Sequence, residues 1–188
     1  MSTYSIALFG HFVSLLLAVV CTALTGYAAL RVCAAGTADD AKQWLALNGR
    51  LVRLFPAAGV GLIATGAYMA HSISGWSEPW LLTSVFGLAC IIVLHAAVDG
   101  SRSRALGREL HIHGLSDRAR ALARDPVAWT AKLTGPMVML AVMFVMTTKP
   151  QAATGAAALI VAVIVGILGA RPFWHAPSMA GAPHATQN

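Results

Sequence analysis

Residues 50–71 read RLVRLFPAAGVGLIATGAYMAH, and this stretch decides the fold. Arg50 and Arg53 stand at the foot of an apolar run that ends on His71. From Leu54 onward about twenty residues pass without an acidic or basic side chain, the length that crosses a bilayer core as a helix. Pro56 falls in the first turn, where a missing backbone N–H costs little. Ala57, Gly61 and Thr65 recur every four residues and share one face. Small residues on such a face let a second helix approach closely.

The same reading extends through the chain. Its 188 residues are 57% hydrophobic and only 11% charged, against about 25% charged in soluble domains, so lipid is the expected solvent. Five apolar runs are found, at about 6–30, 54–73, 80–98, 129–148 and 152–170. The expected fold class is all-α: a polytopic transmembrane helical bundle of five spans, forming a single domain over 1–170. Residues 171–188 form a Pro/Ala/Gly-rich tail, expected to be flexible and cytoplasmic. The start, MSTYS, has no positive charge before a long apolar run, which reads as a retained helix and not a cleaved signal.

Between the spans, Thr37 and Asp39 are candidate caps for a short surface helix through Trp44. Trp76 and Trp80 flank a short turn and suit the interfacial level. Residues 99–128 form the one long polar segment, with six arginines between Arg102 and Arg124. Within it, Ser116 followed by DRARALAR predicts a capped basic helix. Span five carries Ala158, Ala162, Gly166 and Ala170 on one face. These small-residue faces are candidate contacts for a helical partner or for a second copy of the chain.

Charge sets the expected orientation. With five spans, every Lys and Arg except Lys149 falls on one side of the membrane. The positive-inside rule puts that side in the cytoplasm, hence the N-terminus outside and the C-terminus inside a bacterial inner membrane. The net charge of +6 is then explained by orientation and by attraction of the basic loop 102–124 to the anionic inner leaflet. A nucleic-acid role is not expected. Cys21, Cys33 and Cys90 form no CxxC pair and read as small packing residues.

Few side chains can carry chemistry. His11 lies in the outer part of span one and His71 at the outer end of span two. Met139, Met143 and Met146 form a stripe on span four. Neutral imidazole suits iron and copper, and thioether suits Cu(I) or haem iron. Candidate metal ligands are therefore His11, His71, Met143 and Met146, and candidate cofactor-binding residues are His11, His71, His95 and Arg53. His95, toward the cytoplasmic end of span three, has Asp99 one turn on. Arg53 stands at a similar level and can serve a propionate or Asp99. His111 and His113 lie in the polar segment, two residues apart. There is no HExxH, Walker loop, GxSxG or strand-preceded GxGxxG. No catalytic motif is evident, and an enzyme built here would be a membrane oxidoreductase.

On these residues the chain resembles a diffuse group of small bacterial membrane proteins. The group includes the HemJ-type protoporphyrinogen oxidases and the membrane domain of CopD-type copper proteins. The carrying positions, within about residues 6–150, are His11, Arg53, Phe55, Pro56, Thr65, Gly66, Trp80, His95, Pro136, Lys149 and Pro150. No lysine follows Trp80 within Leu81–Val85, and Thr134-Gly135 stand where HemJ-type proteins have Asn-Glu before the proline of helix four. The resemblance implies a bundle associated with haem b or copper, with His11 as the first ligand. A non-catalytic scaffold or assembly subunit, or a copper or small-solute carrier, remains the alternative on the residues alone.

Overall fold

The computed structural model describes residues 2–72 and 75–174, and among them there is no β-strand. In chain order the helices are α1 (Thr3–Ala34), α2 (Ala38–Val52), α3 (Phe55–Ser72), α4 (Pro79–Leu94), α5 (Gly100–His113), α6 (Asp117–Ala123), α7 (Pro126–Thr148) and α8 (Ala152–Trp174). A 3-10 turn at Gly75–Ser77 precedes α4, and a π-helical turn at His95–Asp99 joins α4 to α5. Five helical stretches are long and apolar enough to cross a membrane: Thr3–Ala34, Ala38–Ser72, Pro79–His113, Asp117–Thr148 and Ala152–Trp174. The chain is an all-α, multi-pass membrane protein.

The spans are longer than the apolar runs that announce them. The 32 residues of α1 extend roughly 48 Å at 1.5 Å per residue, beyond a hydrocarbon core of about 30 Å. Its excess length packs into a second layer at the basic end of the bundle. There Val32 joins Ala41 of α2, Leu106 and Leu110 of α5 and Ala119 of α6 in a buried apolar cluster.

Helix α2 runs on to Val52, well past Trp44. Its inward face is Ala41, Leu45 and Asn48, spaced for one side of a helix. Trp44 stands edge-on to Tyr27 of α1 at 5.6 Å and lies under the Arg31 guanidinium at 5.2 Å. Arg50 therefore belongs to α2 and not to the helix that carries His71. The chain turns at Arg53 and Leu54, and α3 begins at Phe55. Pro56 causes the break: it has no N–H to give to the Val52 carbonyl, and its ring crowds that position.

The polar segment is helical too. The chain passes from α4 into α5 through the π turn, where the Gly100 N–H bonds the His95 carbonyl. His111 and His113 thus lie exposed in the last turn of α5. Ser116 caps α6 as expected: its Oγ accepts from the Ala119 N–H at 3.1 Å and donates to Glu109 Oε1 at 2.8 Å. Ser116→Ala removes both bonds. It is expected to cost about 1 kcal/mol, read as a lower melting temperature and faster proteolysis between His113 and Ala123.

Two groups of helices make the membrane layer. One is α1 packed on α3; the other is α7 packed on both α4 and α8. Small residues set the close approaches. A Cβ at Gly61 would strike Ser14 of α1. At Gly87 of α4 it would lie 2.6 Å from Val142 Cγ2, and at Gly166 of α8 it would lie 2.5 Å from Thr134 Cα. Ala162, Gly166 and Ala170 are buried and Ala158 is half-buried, so this face of α8 packs within the chain. Gly61 and Thr65 likewise face α1, while Ala57 is exposed and its neighbour Ala58 is buried.

Aromatic residues lock the ends. Phe173 stacks on Trp129 at 4.0 Å and Trp174 Nε1 donates to Thr130 Oγ1 at 3.1 Å, fixing α8 against the start of α7. At the other end Lys149 takes a left-handed conformation (φ 48°) that stops α7 ahead of Pro150, and its ammonium sits 5.4 Å from the Trp80 ring. Of the expected 171–188 tail, residues 171–174 continue α8 and the remainder lies outside the described residues.

Candidate functional site

His11 is carried on the face of α1 that meets α3. Next to it, Gly10 has Thr65 Cγ2 3.3 Å from where a Cβ would stand. The ring lies against α3 at Gly66, where a Cβ would meet His11 Cε1 at 3.5 Å, an ordinary contact. The ring is half-buried between the two helices.

One hydrogen-bond chain orients it. His11 Nδ1 lies 3.0 Å from Thr65 Oγ1, and Thr65 Oγ1 donates to the Gly61 carbonyl at 2.5 Å. A hydroxyl has a single proton. With that proton on Gly61 O, the hydroxyl accepts, so Nδ1 carries the hydrogen and donates. In the neutral ring Nε2 then holds the lone pair. Metal-ligating histidines are commonly prepared in this way, with one ring nitrogen held as a donor and the other left to ligate.

The remaining candidates are distributed. His71 is exposed in the last turn of α3 and makes no hydrogen bond, ion pair or ring contact among the described residues. Met143 and Met146 are half-buried on α7, which packs on α4 and α8 and not chiefly on the α1–α3 pair. No hydrogen bond or ring contact joins His11, His71 and the two methionines. Among the described residues no group of three His, Cys, Asp or Glu side chains is placed to hold a metal ion.

His95 stands at the opposite level. Its ring stacks on Phe55 at the start of α3, with centroids 5.7 Å apart and planes at 27°. Its Nε2 comes so close to α7 that a Cβ at Gly135 would lie 2.7 Å away. His95 opens the π turn, and such turns are frequent at functional sites because one extra residue re-aims the side chains. Phe55 and Thr65 are ten residues apart on α3, roughly 15 Å at the helical rise, so His95 and His11 occupy different depths. Arg53 is exposed beside this lower level, at the turn into α3. The side chain of Asp99, its expected partner, lies outside the described residues.

Three functional-looking residues were not singled out by their sequence context. Thr65 read as a small packing residue and as a position of the resemblance, but not as a partner of His11, whose Nδ1 it meets at 3.0 Å. Asn48 and Thr134 are buried with Oδ1 and Oγ1 unpartnered. Nothing local marks either one, since burial of a polar atom is a property of the packed structure. Comparison with protein-family models, with curated proteins and with solved structures gives no match for this chain.

Proposed function

We propose that this is a haem-binding membrane protein of redox type, with His11 as an axial ligand through Nε2. The supporting observation is the 3.0 Å contact of His11 Nδ1 with Thr65 Oγ1; with the hydroxyl proton on the Gly61 carbonyl, Nδ1 is the donor and Nε2 keeps a lone pair for iron. A porphyrin brings four equatorial nitrogens, so one protein imidazole is enough to hold its iron. A bare copper ion needs several protein ligands at once, and Met143 and Met146 stand on α7, which packs chiefly on α4 and α8 and not on the α1–α3 pair that carries His11 and His71. The donor set therefore fits haem better than copper.

Bound haem supplies one-electron redox chemistry. The chain's own part is to orient the imidazole through the Thr65 hydroxyl and to set it half-buried between α1 and α3. His95 and Arg53, at the other depth, are candidates for a second group and not for the first. The test is the absorption spectrum of detergent-purified protein, expressed with ample haem, before and after dithionite. A Soret band with sharpened α-bands on reduction is expected; a featureless visible spectrum from folded protein defeats the proposal.

A further inference from the structure

At the basic end of the bundle, helices α1, α2, α5, α6 and α7 converge on a cavity of about 40 Å³ that is open on one side. Asn48, Arg102, Ser103, Trp129 and Lys132 supply its polar lining. Asn48 is 5% exposed and its Oδ1 is buried with no hydrogen-bond partner. A buried amide left in that state is costly, and Asn48 is one of the residues that line this cavity. The amide nitrogen of the same side chain is the group that can donate to a cavity ligand.

The cations beside it favour an anion. Arg102 gives Nη1 to Asp125 Oδ2, and a guanidinium has four further N–H donors. The other oxygen of Asp125 is occupied by the Val127 and Ala128 N–H groups, at 2.8 and 3.1 Å, so this carboxylate is committed to capping α7. Trp129 spends its Nε1 on the Ala123 carbonyl at 3.0 Å and offers the cavity only its ring. Lys132 lies two turns into α7, where the apolar span meets the amphipathic layer, which is headgroup depth. Basic pockets between transmembrane helices at this level are sites for anionic lipid headgroups.

We propose that the cavity binds the phosphate of one anionic phospholipid, with Asn48, Arg102 and Lys132 as the donors and the acyl chains lying along the adjacent apolar helices. This does not depend on haem at His11.

The test uses full-length protein in neutral detergent. Thermal melting is followed while phosphatidylglycerol, phosphatidylcholine or inorganic phosphate is added, and native mass spectrometry counts retained lipids. Wild type is expected to keep one phosphatidylglycerol and to gain melting temperature saturably with it, and not with phosphatidylcholine. Lys132→Gln and Asn48→Leu are expected to weaken that response by about fivefold or more each, the worth of one headgroup contact. Asn48→Leu fills the cavity with apolar bulk and leaves both cations, so it separates loss of the site from loss of charge. Equal response to both lipids by wild type overturns the proposal, and this comparison needs no variant to fold. Unchanged phosphatidylglycerol retention in both variants also overturns it. Full stabilisation by inorganic phosphate alone shows a soluble-anion site and overturns the lipid assignment.

Discussion

Gly166→Ala is expected to lower the stability of the bundle, while Gly169→Ala, three residues further along α8, is not. At Gly166 the new methyl would lie 2.5 Å from Thr134 Cα and 2.7 Å from Thr134 Oγ1. The first of these is backbone and cannot rotate away, so α7 and α8 must separate. At Gly169 the nearest atom would be Leu133 Cδ1 at 3.9 Å, an ordinary contact. Both substitutions gain up to about 1 kcal/mol of helix propensity. Only the first meets an overpacking cost, typically 1–3 kcal/mol and larger when the backbone has to move. The two variants should therefore shift the melting temperature in opposite directions, or by clearly different amounts, when followed by circular dichroism in one detergent. Equal melting temperatures would show that α7 and α8 are not packed through Gly166.

His11→Ala is expected to abolish the haem spectrum, and Thr65→Val to weaken it. Alanine at position 11 removes the only proposed iron ligand at that depth. Valine at 65 keeps the shape of threonine but removes the hydroxyl that accepts from His11 Nδ1. Loss of such a supporting partner typically lowers metal affinity 10–100-fold. Thr65→Ser keeps the hydroxyl and should retain haem close to the wild-type level. Haem content per polypeptide is measured from the reduced pyridine spectrum, alongside melting temperature to show that each variant folds. A full Soret band in folded His11→Ala protein would move the ligand elsewhere, with His95 the next to test. Thr65→Val and Thr65→Ser behaving alike would remove Thr65 from the site.

Of the proposed site, the sequence marked His11 but not the contacts around it. His11 stands out in sequence because an ionisable ring within an apolar span is costly to bury and calls for a reason. Thr65 is 54 residues away, and neither its place on a small-residue face nor its place in the resemblance pairs it with His11. Its role follows from the register of α1 against α3, where Gly10 and Ser14 meet Gly61 and Thr65. The basic-end cavity was less visible still. Asn48 reads as a polar residue in a polar connection, and only the folded structure buries it beside a cavity that Val32, Leu106 and Trp129 also line.

What the sequence by itself determined is everything governed by hydropathy and by chemistry within a few residues. Five long apolar runs must become helices, because backbone groups in lipid have no water to bond. Pro56 must start a helix, Ser116 must cap one, and the small face from Ala158 to Ala170 must pack against something. Only the tertiary structure decided what that something is. Several faces in this chain are small and apolar, and composition does not distinguish one from another; steric fit at Gly61, Gly87 and Gly166 does. The same packing set the contact of His11 with Thr65, the stacking of His95 on Phe55 and the burial of Asn48, since each depends on atoms brought together from distant parts of the chain.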